Sequence, residues 1–258
     1  MYWGFESTKC AVVELSSEHA AAPCIRAVWA QRFAGRRPDI SRHMTTTRSS
    51  LLQHSIDAMA MPGILIDHRL IADGDEFALS PEELGALASS VAKVRRASGA
   101  ARIVARELLL RLGQTQQAIP KSASGAPIWP DGIVGSLAHE AKVAVAAMAN
   151  RRDFSSLGID IEPAEALDPD LLDLIATAKE RHNIHDDPCR GRLLFTVKEA
   201  VYKAVYPFDG TFLDHQDVEV CLATRTAVVR NGRVVRFRYC IATHIVVLAF
   251  ISALPGVT

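Results

Sequence analysis

Polar and hydrophobic positions alternate most regularly in residues 157–163. Three branched aliphatic side chains alternate there with Gly158, Asp160 and Glu162, and this period of two predicts a β-strand with one face in the core. Both carboxylates then lie on the other face, and Pro163 ends the strand because proline cannot donate a ladder hydrogen bond. Neighbouring carboxylates repel each other unless a cation lies between them, and Mg²⁺ prefers oxygen ligands. The pattern therefore fits either a magnesium site or an edge strand whose polar face lies in water.

A second stretch, residues 195–206, repeats hydrophobic positions at the spacing of an α-helix. Its predicted buried positions are Val197, Ala200, Val201, Ala204 and Val205. Glu199 and Lys203 stand four residues apart, as do Lys198 and Tyr202, so one acid and two bases lie within about one helical turn. A pair such as Glu199 and Lys203 is, by itself, also typical of a solvated helix surface.

Elsewhere the pattern predicts a mixture of strands and helices. Strands are predicted over residues 63–70, 143–148, 217–221, 227–230, 234–239 and 244–252, with a hairpin at Asn231-Gly232. Helices are predicted from Ser80 to about residue 93, from there to Leu112 with Gly113 as the C-cap, and over residues 169–182 with a solvated acidic face. Ser80 has the position of an N-cap, and Glu83 has the matching capping-box position.

The helical segment 93–111 holds six basic residues and a single acid, Glu107. Arg102 and Arg106 lie four residues apart on one face, with Arg95 and Arg96 about two turns earlier. Guanidinium groups suit phosphate oxygens, so one interpretation is a cationic groove for a polyphosphate. The other interpretation is an ordinary solvated helix face.

Composition limits the classes of function. The chain has 258 residues, of which 49% are hydrophobic and 22% charged, and its formal net charge is zero, so no overall field favours nucleic acid or a membrane surface. Its five cysteines include no C-x-x-C pair and predict neither a disulfide framework nor a zinc site. We find no apolar run long enough for a membrane helix and no signal peptide, so a cytoplasmic location is expected.

Several short motifs, taken together, resemble those of the 4′-phosphopantetheinyl transferases, specifically the group typified by enterobactin synthase component D. The motif G-I-D-I-E occupies residues 158–162, and F-T-V-K-E-A-V-Y-K follows at residues 195–203. Upstream, residues 95–113 match R-R-x-x-x-x-x-R-x-x-A-R-x-x-L-x-x-L-G, residues 125–132 match G-x-P-x-W-P-x-G, and residues 135–139 read G-S-L-A-H. Ala97-Ser98 stands where the family usually has Glu-Phe. Ala138 replaces a usual hydroxyl, whose hydrogen bond is then either absent or made by Ser136.

The resemblance implies an α+β fold built from two similar halves with the active site between them. Residues 56–150 would form the N-terminal half and residues 151–258 the C-terminal half, while residues 1–55 would be an extension whose order the pattern leaves open. The implied reaction transfers the 4′-phosphopantetheine arm of coenzyme A to a serine of an apo carrier protein, and releases 3′,5′-ADP. The protein is expected to act as a monomer.

The resemblance also assigns roles to residues. Mg²⁺ would be bound by Asp160, Glu162 and Glu199. Coenzyme A would be bound by Arg95, Arg96, Arg102, Lys121, His139, Lys198 and Lys203. The catalytic residues would be Glu199, as the base for the serine hydroxyl, with Lys203 and His139, the latter as a protonated imidazole that neutralises phosphate charge.

Two other functions remain open at this point. One is a Mg²⁺-dependent phosphoanhydride hydrolase that uses the same carboxylates and needs no protein acceptor. The other is a catalytically inactive protein that binds coenzyme A or carrier domains, although the presence of all three carboxylates and both lysines argues against it.

Overall fold

The computed structural model describes residues 40–87, 90–115, 117–182, 184, 187–210 and 212–253. The first half contains three α-helices and three strands among the described residues. In chain order they are α1 (Ile40–Met59), β1 (Ile64–Leu70), α2 (Pro81–Gly85), α3 (Ala92–Arg111), β2 (Ile133–His139) and β3 (Val143–Asn150). The second half contains β4 (Phe154–Pro163), α4 (Pro169–Ile175), α5 (Ala178–His182), α6 (Pro188–Asp209), β5 (Val218–Cys221), β6 (Thr226–Val229), β7 (Val234–Ile241) and β8 (His244–Ser252). The mixture of helices and two sheets confirms the expected α+β class.

Each half has one antiparallel sheet. The first sheet has three strands in the order β1-β3-β2, and the second has five in the order β4-β8-β7-β6-β5. Helix α3 packs against the first sheet, and helix α6 packs against β4 and β8 of the second. Strand β4 also packs against β2 and β3, which brings the two sheets together.

Strand β4 lies at the edge of its sheet, but most of its residues are buried on both faces, so the expectation that its polar face lies in water is wrong. Leu157, Ile159 and Ile161 join the hydrophobic core shared with β1 and β3. On the opposite face, a Cβ added at Gly158 would lie 1.9 Å from the carbonyl oxygen of Ala200. Only glycine allows this close contact, which seats the polar face of β4 against α6.

Most predicted elements are confirmed, and three helices differ. Helix α6 begins at Pro188 rather than at residue 195 and ends at Asp209 rather than at residue 206. The capping box of Ser80 and Glu83 is present, and β8 spans the predicted residues. Helix α2, however, ends at Gly85 rather than near residue 93. Glycine has a low helix propensity, which favours an end at this position. The predicted helix 169–182 is two helices, because Thr177 and Glu180 exchange hydrogen bonds with each other's backbone N–H and start α5 as a new capping box.

The expected boundary between an extension and the first half falls inside α1. The helix buries Leu52, Ile56 and Met59 in the core that joins the two sheets, and Arg238 of β7 donates a 3.0 Å hydrogen bond to the carbonyl of Ala60. The last turns of α1 therefore belong to the folded core. Residues 1–39 of the predicted extension lie outside the described residues. The division of the chain after residue 150, at the turn between β3 and β4, remains a proposal.

Candidate active site

One cavity lies between the two halves and is called the interface cavity below. Its polar lining comprises Ser98, Arg102, Lys121, Ser124, Ser136 and His139 from the first half and Ser156, Asp160, Glu162, Glu199 and Lys203 from the second. Its larger apolar and aromatic lining residues are Trp129, Phe195, Tyr202 and Tyr206. Cationic and acidic side chains from distant parts of the sequence thus face the same space.

The close packing of β4 on α6 positions the catalytic candidates of the second half. Asp160 and Glu162 lie on one face of β4 because side chains alternate along a strand. Lys203 of α6 donates to Asp160 Oδ1 at 2.7 Å and to the carbonyl of Ile159 at 3.2 Å. The i,i+4 pair of Glu199 and Lys203 is therefore not a solvated surface pair, since both side chains face the interface cavity.

Each carboxylate of the predicted metal site has a basic neighbour. Asp160 is paired with Lys203, Glu162 accepts from Arg192 at 3.0 Å, and Glu199 Oε1 lies 3.0 Å from His215 Nε2. Burial raises the pKa of Asp160 to about 6, with Lys203 opposing and the charge of Glu199 adding to this rise. Burial, and then the charge of Asp160, raise the pKa of Glu162 to about 7.

These carboxylates suit a divalent cation by chemistry and location. All three line the interface cavity. Negative charge on one carboxylate raises the pKa of a neighbouring one, and a bound cation would offset this repulsion. Within the described ranges, no three His, Cys, Asp or Glu side chains are already arranged as a metal-ligand cluster. To share one ion, the carboxylates would turn partly away from their basic neighbours. The assignment of metal ligands therefore stays a prediction.

The raised pKa of Glu162 predicts a pH-dependent stability when no divalent cation is present. Because the folded protein binds this proton more tightly than the unfolded chain does, the stability it contributes is present below about pH 4.5 and is lost as the pH rises through about 7. Glu162→Gln carries no such proton, so the variant should gain stability relative to the native chain between pH 5 and pH 8. Urea unfolding across this range measures the difference.

A control and a metal titration sharpen this experiment. The exposed Glu165→Gln should show no such trend, and excess Mg²⁺ at pH 8 should reduce the advantage of Glu162→Gln if the ion binds to Glu162. A stability difference that does not change with pH would contradict the assigned effect of burial on Glu162.

His139 lies in the interface cavity as predicted, but its predicted charge is wrong for the protein alone. Burial, and then the positive charges of Lys203 and Lys121, lower its pKa to about 4. The imidazole is therefore neutral near pH 7 and offers a single N–H donor, rather than the two of an imidazolium.

Lys198 does not belong to the cavity, which corrects its predicted role in binding phosphate. Its side chain is 1% exposed, and its ammonium donates three hydrogen bonds of 2.8 Å each, to Glu180 Oε2 and to the carbonyls of Ile175 and His215. Glu180, expected on a solvated face, is buried and also accepts from the N–H of Val220. Since an ammonium group has three protons, Lys198 has none left for a ligand.

The predicted arginines separate into two groups. Arg102 lines the interface cavity and is buried. Arg95 instead donates to the carbonyl of Ser90, and Arg96 pairs with Glu76 at 3.1 Å and Asp73 at 2.7 Å. Neither lines the cavity. Arg96 lies beside the segment that precedes α2, and Arg95 lies beside Ser90, which precedes the start of α3. Lys121 does line it, which agrees with its predicted location.

Two residues near the site, His215 and Arg192, carried no signal in the sequence, and the structural contact of a third, Ser136, was not predicted. His215 contacts Glu199 and stacks on Phe195 with ring centroids 5.6 Å apart. Arg192 pairs with Glu162. Ser136, considered above as a substrate contact, accepts a 3.0 Å hydrogen bond from the N–H of Ile159 and so joins β2 to β4. Each contact joins residues at least 16 positions apart, so no local pattern could reveal it.

Comparison with protein families agrees with the motifs. A family model described as the 4′-phosphopantetheinyl transferase N-terminal domain matches residues 82–149, and one described as the 4′-phosphopantetheinyl transferase superfamily matches residues 156–247. The chain is 36% identical over 179 residues to 4′-phosphopantetheinyl transferase Npt of Nocardia iowensis, which covers 67% of this chain and 79% of that protein.

Two further relatives match over a shorter part of the chain. The transferase Svp of Streptomyces mobaraensis is 37% identical over 154 residues, which is 56% of this chain and 61% of the relative. The transferase PptT of Mycobacterium tuberculosis is 38% identical over 152 residues, which is 56% of this chain and 65% of the relative.

Proposed function

Because this chain belongs to the 4′-phosphopantetheinyl transferase superfamily, whose members act on coenzyme A and carrier proteins and typically use a divalent metal, we propose that its interface cavity is where the transfer occurs. The 4′-phosphopantetheine arm of coenzyme A passes to a serine of an apo carrier protein, and 3′,5′-ADP leaves. The metal is Mg²⁺. None of the helices that the structure describes is long and apolar enough to cross a bilayer.

The observation that carries this proposal is the composition of the interface cavity. It combines cationic or donor groups suited to a diphosphate (Arg102, Lys121, His139 and Lys203) with three carboxylates suited to a divalent ion. Phosphoryl transfer depends mainly on positioning and on neutralising charge, and these groups supply both. The two halves contribute to one cavity, which explains why neither half alone contains all the motifs.

The reaction proceeds by attack of the serine hydroxyl on the β-phosphorus of coenzyme A. A new P–O bond forms to the serine oxygen, and the bond between the β-phosphorus and the bridging oxygen of 3′,5′-ADP breaks. Glu199 accepts the hydroxyl proton, while Lys203 and the neutral His139 donate hydrogen bonds to phosphate oxygens. Arg102 and Lys121 bind the remaining phosphate charge on the side of the first half.

Asp160, Glu162 and Glu199 are the residues that would hold Mg²⁺. When bound, the ion supplies charge neutralisation for the diphosphate and for the leaving group. Lys203 donates to Asp160 and to the carbonyl of Ile159, and these two hydrogen bonds leave the third ammonium proton for a phosphate oxygen in the cavity.

The decisive experiment incubates the full chain with coenzyme A, Mg²⁺ and a panel of apo carrier proteins. A carrier mass gain equal to one phosphopantetheinyl group, with equimolar 3′,5′-ADP, is the expected result. Cleavage of coenzyme A without a change in carrier mass would instead indicate a hydrolase. Binding of coenzyme A with neither product, across all carriers, would indicate an inactive binding protein.

A further inference from the structure

We propose that Glu83 is a positioning residue for coenzyme A, which it affects through Arg102 and through the segment that leads to Lys121. The inference rests on the proposed function of the interface cavity. Glu83 itself does not line that cavity, and its sequence context indicates only a capping residue of α2.

The carboxylate of Glu83 is fully buried and makes four kinds of contact. Its Oε2 accepts from the N–H of Ser80 at 2.8 Å, which is the capping interaction. Its Oε1 accepts from the N–H of Ile119 at 2.7 Å. Both oxygens contact Nη2 of Arg106, at 2.7 and 2.5 Å, and Oε1 lies 3.5 Å from Nε of Arg102. A capping residue needs only the first of these contacts.

Both backbone polar groups of Ile119, its N–H and its carbonyl, are hydrogen-bonded in this network. Its N–H donates to Glu83, and its carbonyl accepts from Nε of Arg102 at 3.0 Å. Two residues later, Lys121 enters the lining of the interface cavity. The position of Glu83 therefore fixes both the guanidinium of Arg102 and the start of the loop that carries Lys121.

The remaining contacts of Arg102 leave one side of its guanidinium for a ligand. Nη1 donates to Ser98 Oγ at 2.6 Å and to the Ser98 carbonyl at 3.3 Å, while Nε binds Ile119. Within the described residues, these contacts involve Nε and Nη1 of Arg102. Because Arg102 lines the cavity, its Nη2 is left to bind an anion there. A planar guanidinium fixed at two nitrogens presents the third in a defined direction.

Electrostatics makes the role of Glu83 testable by the sign of an effect. Arg102 and Arg106 repel each other, and the charge of Glu83 opposes this repulsion. Burial, and then the charge of Arg102, lower the pKa of Lys121. If Glu83 acted only through its charge, neutralising it would make the cavity more positive and would tighten the binding of an anion. If Glu83 positions Arg102 and Lys121, the same substitution weakens binding. The two explanations therefore predict opposite changes in affinity.

The test is Glu83→Gln, which keeps the shape of the side chain and removes its charge. We expect the Kd for coenzyme A, measured by calorimetry, to rise about tenfold, a loss of about 1.4 kcal/mol. We expect kcat at saturating coenzyme A to change less than about twofold, because the reacting phosphate is held by groups of β4, α6 and β2. The matched control is Glu76→Gln, which breaks the ion pair of Glu76 with Arg96. Neither residue of this pair lines the cavity, so the Kd should stay unchanged.

A double-mutant cycle with Arg102→Ala identifies the route of the effect. In the Arg102→Ala background, Glu83→Gln should weaken binding less than in the native background, because part of its effect passes through the missing guanidinium. Glu83→Asp keeps the charge but withdraws the carboxylate by one methylene, so it should also weaken binding. This variant replaces Glu83→Gln in the test if the glutamine variant does not fold.

Several outcomes overturn the proposal. Unchanged or tighter binding in the Glu83 variants, full additivity with Arg102→Ala, or a loss confined to kcat would each do so. If the native protein transfers the phosphopantetheinyl group normally while these variants bind like it, only the role of Glu83 is lost. If the native protein does not bind coenzyme A, the proposed function is lost with it.

Discussion

Replacing Glu199 by glutamine is expected to lower kcat for phosphopantetheinyl transfer by about 10²–10⁴-fold, the usual contribution of a positioned general base. The amide keeps the size of the side chain but has almost no affinity for a proton, and it is a poorer ligand for a divalent cation. Glu199 lines the interface cavity and has His215 as its neighbour, so the substitution removes no core volume. The kcat is measured with an apo carrier by mass spectrometry under saturating coenzyme A.

Two measurements separate this chemical effect from a folding defect. The Tm of Glu199→Gln should stay within a few degrees of that of the native protein. The control variant Glu219→Gln changes an exposed acid paired with Lys179 and should transfer normally. A Glu199→Gln variant that retains more than about a tenth of the native kcat would remove Glu199 from the role of base.

The two lysines of the K-E-A-V-Y-K motif are expected to fail in opposite ways when each is replaced by methionine. Lys198→Met leaves the carboxylate of Glu180 buried and without its cation, so the free energy of unfolding should fall by about 3–5 kcal/mol. Lys203→Met removes a cavity-lining donor beside Asp160, so transfer should be lost, while the free energy of unfolding should fall less than in Lys198→Met because this pair borders the cavity and is less buried than Lys198 and Glu180. Urea unfolding and the transfer assay, applied to both variants, give the comparison.

Each lysine variant is the control for the other, because both carry the same substitution in the same helix. If Lys198→Met unfolds normally but loses transfer, Lys198 contacts substrate in solution and the contacts described for it are not the functional ones. If Lys203→Met loses stability rather than transfer, the pairing with Asp160 is structural, and the donor to phosphate must be sought elsewhere in the cavity.

The positions of most elements could be predicted because their signals are local. The capping box at Ser80, the Asn-Gly hairpin before β7 and the alternation in β4 depend on residues that are neighbours in sequence. The break between α4 and α5 was also available locally, since Thr177 and Glu180 form a T-x-x-E capping box. The acidic composition of the segment, by contrast, indicates one continuous solvated helix, which the structure does not have.

The site residues were predicted less evenly, and the difference follows from what a motif contains. A motif specifies residue types at fixed spacing, and four of its residues, Asp160, Glu162, Glu199 and Lys203, line one cavity. It could not tell which side of α6 each lysine occupies relative to the whole fold. Lys198 points toward Glu180 and the start of β5, whereas Lys203 lies beside β4.

The sequence by itself determined the α+β class, the family and the list of residue types needed for the chemistry, because these depend on periodicity and on short motifs. Only the tertiary structure decided which charges are used inside the protein and which remain for a ligand. Arg96, Lys198 and Glu180 are paired away from the cavity, while Arg102, Lys203 and Glu199 line the cavity. The physical reason is that a buried charge must have a partner, and the partner of a given side chain is chosen by packing between distant segments.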